Sequence, residues 1–235
     1  MSDGGAPMKQ MALDIGLAPV PSLDNFVEAG NLDAVEHLRL WAANPNRSPV
    51  PTYLWGESGS GKTHLLSAVR EALAESGGKV GWLDAGKLHP PEFDENWEAV
   101  VLDDCHLYTA EQQAAAFNWF VNAQSPASGQ ARWVLAAADR PPADLQLRED
   151  LRTRLGWGHV FQLHLLAESE RRAVLRRVAD DRGVFLSDEV MDYMLKRFSR
   201  DLSSLTSLLE QLDAYALRTQ RAITIPLIKS MLEEE

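Results

Sequence analysis

Gly56-Glu57-Ser58-Gly59-Ser60-Gly61-Lys62-Thr63 carries the spacing G-x-x-x-x-G-K-T, which is a spacing for holding phosphate. The glycines let backbone N–H groups converge on phosphate oxygens where Cβ atoms would obstruct them. Lys62 can reach the β- and γ-phosphates of ATP, or the β-phosphate of ADP, and the Thr63 hydroxyl is a ligand for Mg²⁺. A second acidic half lies further along. In AVVLDDC, an apolar run ends in Asp103 and Asp104, where an open α/β sheet would place its ligand. Asp103 suits the Mg²⁺ shell, and Asp104 is placed to polarise an attacking water. A glycine-rich turn and an Asp pair at a strand end are the plain alternatives; the two motifs together argue against them.

Other residues with chemical potential are less convincing. Cys105 and His106 follow the acidic pair, but no second Cys or His stands at a zinc-site spacing. No Ser–His–Asp order is defensible. Phe117, Trp119 and Phe120 fall in a helical segment and read as core packing rather than as a base-stacking platform.

These residues need a scaffold that brings the two motifs together. From Val50 the sequence alternates apolar strands (VPTYLW, KVGWLDA, WEAVVLDD, ARWVLAAA and HVFQLHLL) with helical segments GKTHLLSAVREALAESG and AEQQAAAFNWFVNAQ. Strands that are apolar throughout belong to a parallel sheet covered on both faces. The helix that opens at Lys62 would direct its positive N-terminal end at the anion. Upstream, NLDAVEHLRLWAAN sets Leu32, Val35, Leu38 and Trp41 on one helical face, with Asn31 or Asp33 near its start. Beyond residue 166 the strands stop and four segments read at helical period, one of them with Ser187 as N-cap before Asp188 and Glu189. The expected architecture is an α/β core over residues 21–166 and a small all-helical domain over 167–235, preceded by a flexible tail, 1–20.

Composition narrows the function classes. The net charge is −11, from 34 acidic and 23 basic residues, so strong sequence-independent DNA binding is disfavoured and any DNA contact is expected to be weak or indirect. The arginines gather between Arg140 and Arg200, but acids are interspersed among them. No apolar run approaches the ~20 residues of a bilayer span. A single cysteine and the absence of a secretory pattern at the start point to the cytoplasm.

The same residues resemble a known family. A P-loop core followed by a helical lid is similar to the AAA+ ATPases, and several stretches resemble the DnaA family in particular. SLDNFVEAGN (22–31) looks like the segment that lines the adenine side of the pocket, which implies a nucleotide contact for Phe26; His64, just after the phosphate loop, joins the same pocket. DDCHLY resembles the family's double-Asp Walker B. AADRPPADL is similar to the sensor I region, with Asp139 at the matching polar position. LRTRLGWG resembles the stretch that carries the arginine finger, which places that role on Arg154. From the residues alone, Arg154 would read as a salt-bridge arginine, since Arg148, Arg152, Glu149 and Asp150 lie close by.

Full initiators of this family continue into a DNA-reading helix-turn-helix and carry an N-terminal helicase-interaction domain. Here the sequence ends at IKSMLEEE, and only a short tail precedes SLDNF. That pattern resembles the Hda branch of the family, as does LLEQLDAYALRTQRAITIPLIKSML. The resemblance implies a regulator that docks on the polymerase III sliding clamp and stimulates hydrolysis of ATP bound to DnaA, so that chromosomal replication does not restart. QMALDI resembles the clamp-docking peptide, with Gln10, Met11, Leu13 and Ile15 as its contacts. Association of such modules side by side implies a homodimer. One departure is notable: the lid position that usually carries a phosphate-sensing arginine matches Ser203, with Arg200 about a turn earlier. Weak self-hydrolysis and a stably held nucleotide follow. The competing classes are a DNA-binding initiator or helicase loader and a small-molecule kinase.

Overall fold

The structure, a computed structural model, describes residues 20–44, 48–126, 129–198 and 202–233, without the Ser203 side chain. Gln10, Met11, Leu13, Ile15 and Arg200 lie outside the described residues.

Five strands form one parallel sheet: β1 (Thr52–Trp55), β2 (Lys79–Leu83), β3 (Trp97–Leu102), β4 (Trp133–Ala138) and β5 (His159–Gln162), in the order β2-β3-β4-β1-β5. All six residues of β4 are buried because both faces of the sheet are covered. Alternate side chains divide between two apolar layers, as a period of two requires. Leu135 and Ala137 join Leu54 and Val101 under α1 (Leu32–Ala43) and α2 (Lys62–Glu75), through Val35, Leu38, Leu65, Leu66 and Leu73. On the other face Val134 and Ala136 join Val100 and Leu102 against α3 (Ala110–Gln124), through Trp119 and Phe120. The expected strands and helices are therefore present, α3 with the bounds read from the sequence and the others of the core trimmed at one or both ends.

One element was not anticipated. α4 (Glu149–Leu155) is a two-turn helix with Leu151 and Leu155, four residues apart, buried against the α3 layer. Its acids sit in the first turn and Arg152 and Arg154 in the last, the arrangement that suits the helix dipole. Immediately after it the chain turns at Gly156–Gly158 and enters β5. A Cβ on Gly158 would lie 1.9 Å from the Pro51 carbonyl oxygen, and the next residue's N–H, from His159, donates to that same oxygen at 2.9 Å. The turn is thus pressed onto the backbone that leads into β1.

Four helices follow: α5 (Glu168–Asp181), α6 (Asp188–Arg197), α7 (Leu202–Thr219) and α8 (Ile225–Glu233). They enclose their own apolar core, with Leu175, Met191, Met194, Leu205, Leu209, Leu212, Leu227 and Ile228 at its centre. The Ser187 hydroxyl accepts from the Val190 N–H and caps α6, as read from the sequence. Arg172 and Arg176 pair with Asp192 and Asp188, and Arg182 pairs with Glu210. Two arginines of α5 and the one that follows it therefore face acids of α6 and α7.

Because Gly158 has no room for a side chain, Gly158→Ala should lower unfolding stability by about 1–3 kcal/mol through forced displacement of Pro51. Denaturant unfolding of the two proteins checks this; an alanine variant as stable as the parent would show that the turn is loosely held.

Candidate nucleotide-binding site

The phosphate loop leaves the C-terminal end of β1 and closes at the first residue of α2. Gly56 donates its N–H to the Ala138 carbonyl at 3.3 Å, which fastens the loop to the end of β4. Gly61 is the N-cap of α2 with φ of 93°, a left-handed conformation that disfavours any side chain. A Cβ there would lie 2.5 Å from the Phe26 ring, so the glycine also makes room for an aromatic wall. The free N–H groups of the first turn of α2 point into this loop.

Lys62 is 6% exposed, and its ammonium donates to the carbonyl oxygens of Gly56 (2.8 Å) and Glu57 (3.0 Å). Burial lowers its pKa; the carboxylates of Asp104, Asp103 and Asp139, in that order, oppose the shift. Those acids come from two different strand ends. The Thr63 hydroxyl donates to Asp103 Oδ2 at 2.8 Å, a contact that joins the phosphate loop to the end of β3. Asp103 is itself buried, which pushes its pKa up against the Thr63 bond. Its other oxygen accepts from the Asp104 N–H at 3.0 Å. Asp104 holds a left-handed backbone conformation (φ 50°, ψ 43°), uncommon for a side-chain-bearing residue and tolerated best by Asn and Asp. That kink turns the chain out of β3 into a short 3-10 turn, Cys105–Leu107.

Asp139 stands at the end of β4, between the other two strand ends. It is held by a two-point pair with Arg140 (2.8 and 2.7 Å), which keeps its carboxyl below the usual range, and His106 Nδ1 lies 3.9 Å away. The thiol of Cys105 is fully buried, donates to the Leu102 carbonyl, and is pushed up to about 12 by burial. It is a packing residue.

Phe26 approaches from the N-terminal segment. Its ring lies 5.6 Å from that of His64, whose Nε2 donates to the Ser22 carbonyl at 3.2 Å. Burial lowers the His64 pKa, so the neutral ring is favoured. Arg39 bridges from α1 to Glu28 and to the Leu23 carbonyl and binds this segment down. The structure thus gathers Phe26, Gly56, Glu57, Ser58, Gly59, Ser60, Gly61, Lys62, Thr63, His64, Asp103, Asp104 and Asp139 around one end of the sheet.

Two observations fit a nucleotide with its divalent cation. The Ser60 hydroxyl is buried within the loop without a protein partner, and Thr63 with Asp103 forms a paired set of oxygen donors of the kind Mg²⁺ prefers.

Arg154 is elsewhere. It projects from the last turn of α4, with its guanidinium 5.2 Å from the centre of the Phe117 ring and 5.8 Å from that of Phe120. Among the described residues no carboxylate pairs with it; Asp150 is taken by Arg148. The salt bridge that the neighbouring residues suggest for Arg154 is thus not made among the described residues.

Family models match two stretches of the chain: the bacterial DnaA ATPase domain over residues 17–89, and the Hda lid domain over residues 168–232. An uncharacterized protein of Haemophilus influenzae is 34% identical over 236 residues, covering 95% of this chain and 98% of that protein. The chain belongs to the Hda/DnaA-related AAA+ family. Solved structures agree in fold. Domain III of the Thermotoga maritima replication initiation protein DnaA aligns with a TM-score of 0.72 at 22% identity, covering 93% of this chain and 98% of that one. AMPPCP-bound DnaA of Aquifex aeolicus gives 0.66 at 22%, covering 86% and 68%, and the Thermotoga maritima RuvB motor gives 0.64 at 16%, covering 91% and 71%. The α/β core with a helical lid is the Hda/DnaA-type AAA+ architecture.

Sequence reasoning missed three residues that shape this site. Asn31, read near the start of α1, is its N-cap residue, but its side chain exchanges two hydrogen bonds with the backbone of His164 (3.0 and 2.7 Å), tying the start of α1 to the exit from β5. Gln112 is completely buried and donates from one amide nitrogen to the carbonyls of Asp84, Ala85 and Lys87, holding the loop after β2 beside the site. Phe117, read as core, carries two guanidinium groups on its ring. Of the contacts these residues make beside the site, none follows from a local pattern, although Gln112 stands three residues beyond Thr109 in a capping box.

The folded-state pKa of Asp103 is raised above its unfolded value. Its contribution to stability is therefore full below the unfolded carboxylate pKa and is lost as pH rises through the folded one. Asp103→Asn can keep both contacts, with Oδ1 accepting from the Asp104 N–H and the amide donating to Thr63. Without nucleotide, this variant should melt at a higher temperature than the parent at pH 7, and the difference should vanish below about pH 4. Thermal melts across that range check it; a variant less stable at pH 7 would mean that the ionised carboxylate supports the loop.

Proposed function

We propose that the chain is a nucleotide-binding regulator of a DnaA-type initiator: docked on a DNA-loaded sliding clamp, it supplies Arg154 to the ATP held by the initiator, accelerates hydrolysis and so prevents replication from restarting. The observation that carries this reading is the separation of two charged groups. The acids at the phosphate loop act on Lys62, whereas Arg154 stands on α4 with no acidic partner among the described residues, backed by aromatic rings.

In the chain's own pocket, Lys62 would exchange its contacts with the Gly56 and Glu57 carbonyls for phosphate oxygens, while Thr63 and Asp103 hold the Mg²⁺ shell. A cation held by Thr63 and Asp103 would supply positive charge against that of the phosphates. Asp104 would orient a water and Asp139 would sense the phosphate; Phe26 and His64 would flank the base. This nucleotide, ADP or ATP, acts chiefly as a structural cofactor that sets the angle between core and lid. At the partner's site, the Arg154 guanidinium meets the negative charge that builds on the γ-phosphoryl oxygens as the attacking water approaches. An arginine supplied in this way is worth about 10³–10⁵ in rate. Gln10, Met11, Leu13 and Ile15 would hold the regulator on the clamp and raise its concentration near the initiator. Side-by-side association of such modules makes a homodimer the natural resting form.

The test is hydrolysis of labelled ATP bound to purified DnaA with DNA-loaded clamp, with and without this protein. Arg154→Ala should abolish the acceleration, and Gln10→Ala should weaken it by roughly tenfold or more at low protein concentration. Lys62→Ala should impair nucleotide binding by this chain. If the initiator's ATP turns over at the same rate whether or not the protein is present, the trans-acting reading fails. Salt-dependent DNA affinity would then favour the helicase-loader or initiator alternative.

A further inference from the structure

We propose that Phe117 is a positioning residue for Arg154, an aromatic seat that holds the guanidinium in place before a partner arrives. The inference rests on the trans-arginine reading above and adds to it the group through which the finger is aimed.

Three facts on and around α4 lead to it. First, the Phe117 ring serves two cations: the Arg148 guanidinium at 4.9 Å and that of Arg154 at 5.2 Å from its centre. Second, the two arginines differ in what else they hold. Arg148 makes a two-point bond with Asp150 (2.7 and 2.6 Å), whose Oδ1 also accepts from the Leu151 N–H, so its charge is neutralised where it lies. No carboxylate among the described residues pairs with Arg154, which keeps its full charge for a partner. Third, the seat is rigid on its inner side: Phe120 is completely buried in the α3 layer, while Phe117 is only half-buried and forms the outer edge of the seat.

The physical reason for such a seat follows from the side chain. A free arginine samples many rotamers, and each must be given up when it meets the γ-phosphate of another molecule. A carboxylate could hold the guanidinium still, but it would also cancel the charge on which stabilisation of the transition state depends. An aromatic face holds a cation by its quadrupole and leaves the charge intact. Phe117 orders Arg154 without neutralising it, and Asp150 keeps Arg148 from competing for the same task.

Two measurements on the full-length chain test this. In the free protein, the Arg154 Nε–Hε signal, assigned by its loss in Arg154→Lys, should be shifted by the ring. The shift should disappear in Phe117→Leu and persist in Phe117→Tyr. In the hydrolysis assay with DnaA-bound ATP, Phe117→Leu should reduce the maximal acceleration roughly three- to tenfold, with Phe117→Tyr restoring it. The half-saturating protein concentration should stay within about twofold of the parent, because the effect is on rate rather than docking. An unshifted Arg154 signal in the parent overturns the inference. So does a Phe117→Leu variant that keeps the full maximal rate while Arg154→Ala has none, or one that changes only the half-saturating concentration. If the ring shift behaves as described but Arg154→Ala leaves hydrolysis unchanged, the seat stands and the trans-acting reading falls.

Discussion

A buried ammonium at the carboxyl end of a parallel sheet has to be met by negative charge, and the core of this protein is arranged around that requirement. Lys62 follows β1, its nearest acids end β3, and a third acid ends β4, which lies between those two strands. The order β3-β4-β1 therefore does more than close a core. It sets three strand ends side by side, so that carboxylates far apart in sequence act on one lysine. The Thr63–Asp103 hydrogen bond is the direct expression of this, spanning the width of β4. Had β3 been an immediate neighbour of β1, Asp139 would have no place in the cluster.

The same end of the sheet explains the irregular backbone. A strand that ran on past Leu102 would carry Asp104 away from the loop; the left-handed turn at Asp104 stops it there and starts the 3-10 turn. The Asn31–His164 exchange ties the N-terminal segment, which carries Phe26, to the residues leaving β5 for the lid. Contacts around Phe26 and the approach to the lid are therefore parts of one hydrogen-bonded unit.

Much of this was legible because its signals are local. The phosphate loop is eight consecutive residues, and a doubly covered strand such as WVLAAA is apolar at every position, so both could be read without knowing their neighbours. The lid was legible for the same reason, since each helix shows its own period and Ser187 announces one of them. What escaped was either too short or too distant. α4 has only two buried positions, Leu151 and Leu155, which is too few to establish a period among charged residues. Asn31 finds its partner 133 positions away, and no rule of spacing connects them. Phe117 shows the limit most clearly. As one of three aromatics on an amphipathic helix it reads as core, and its role emerges only when α4 lays two arginines across its ring.

The two charged groups of the proposed mechanism illustrate opposite solutions to one electrostatic problem. Lys62 is buried among carboxylates and carbonyls, which stabilise its charge and commit it to the chain's own pocket. Arg154 is held by aromatic rings that order it without cancelling its charge, so its electrostatic effect remains available outside the molecule. Seating Arg154 beside a carboxylate would give a more stable isolated protein and a poorer donor of positive charge. The geometry that makes the finger useful to a partner is thus paid for within the chain, by leaving the Arg154 guanidinium without a carboxylate partner among the described residues.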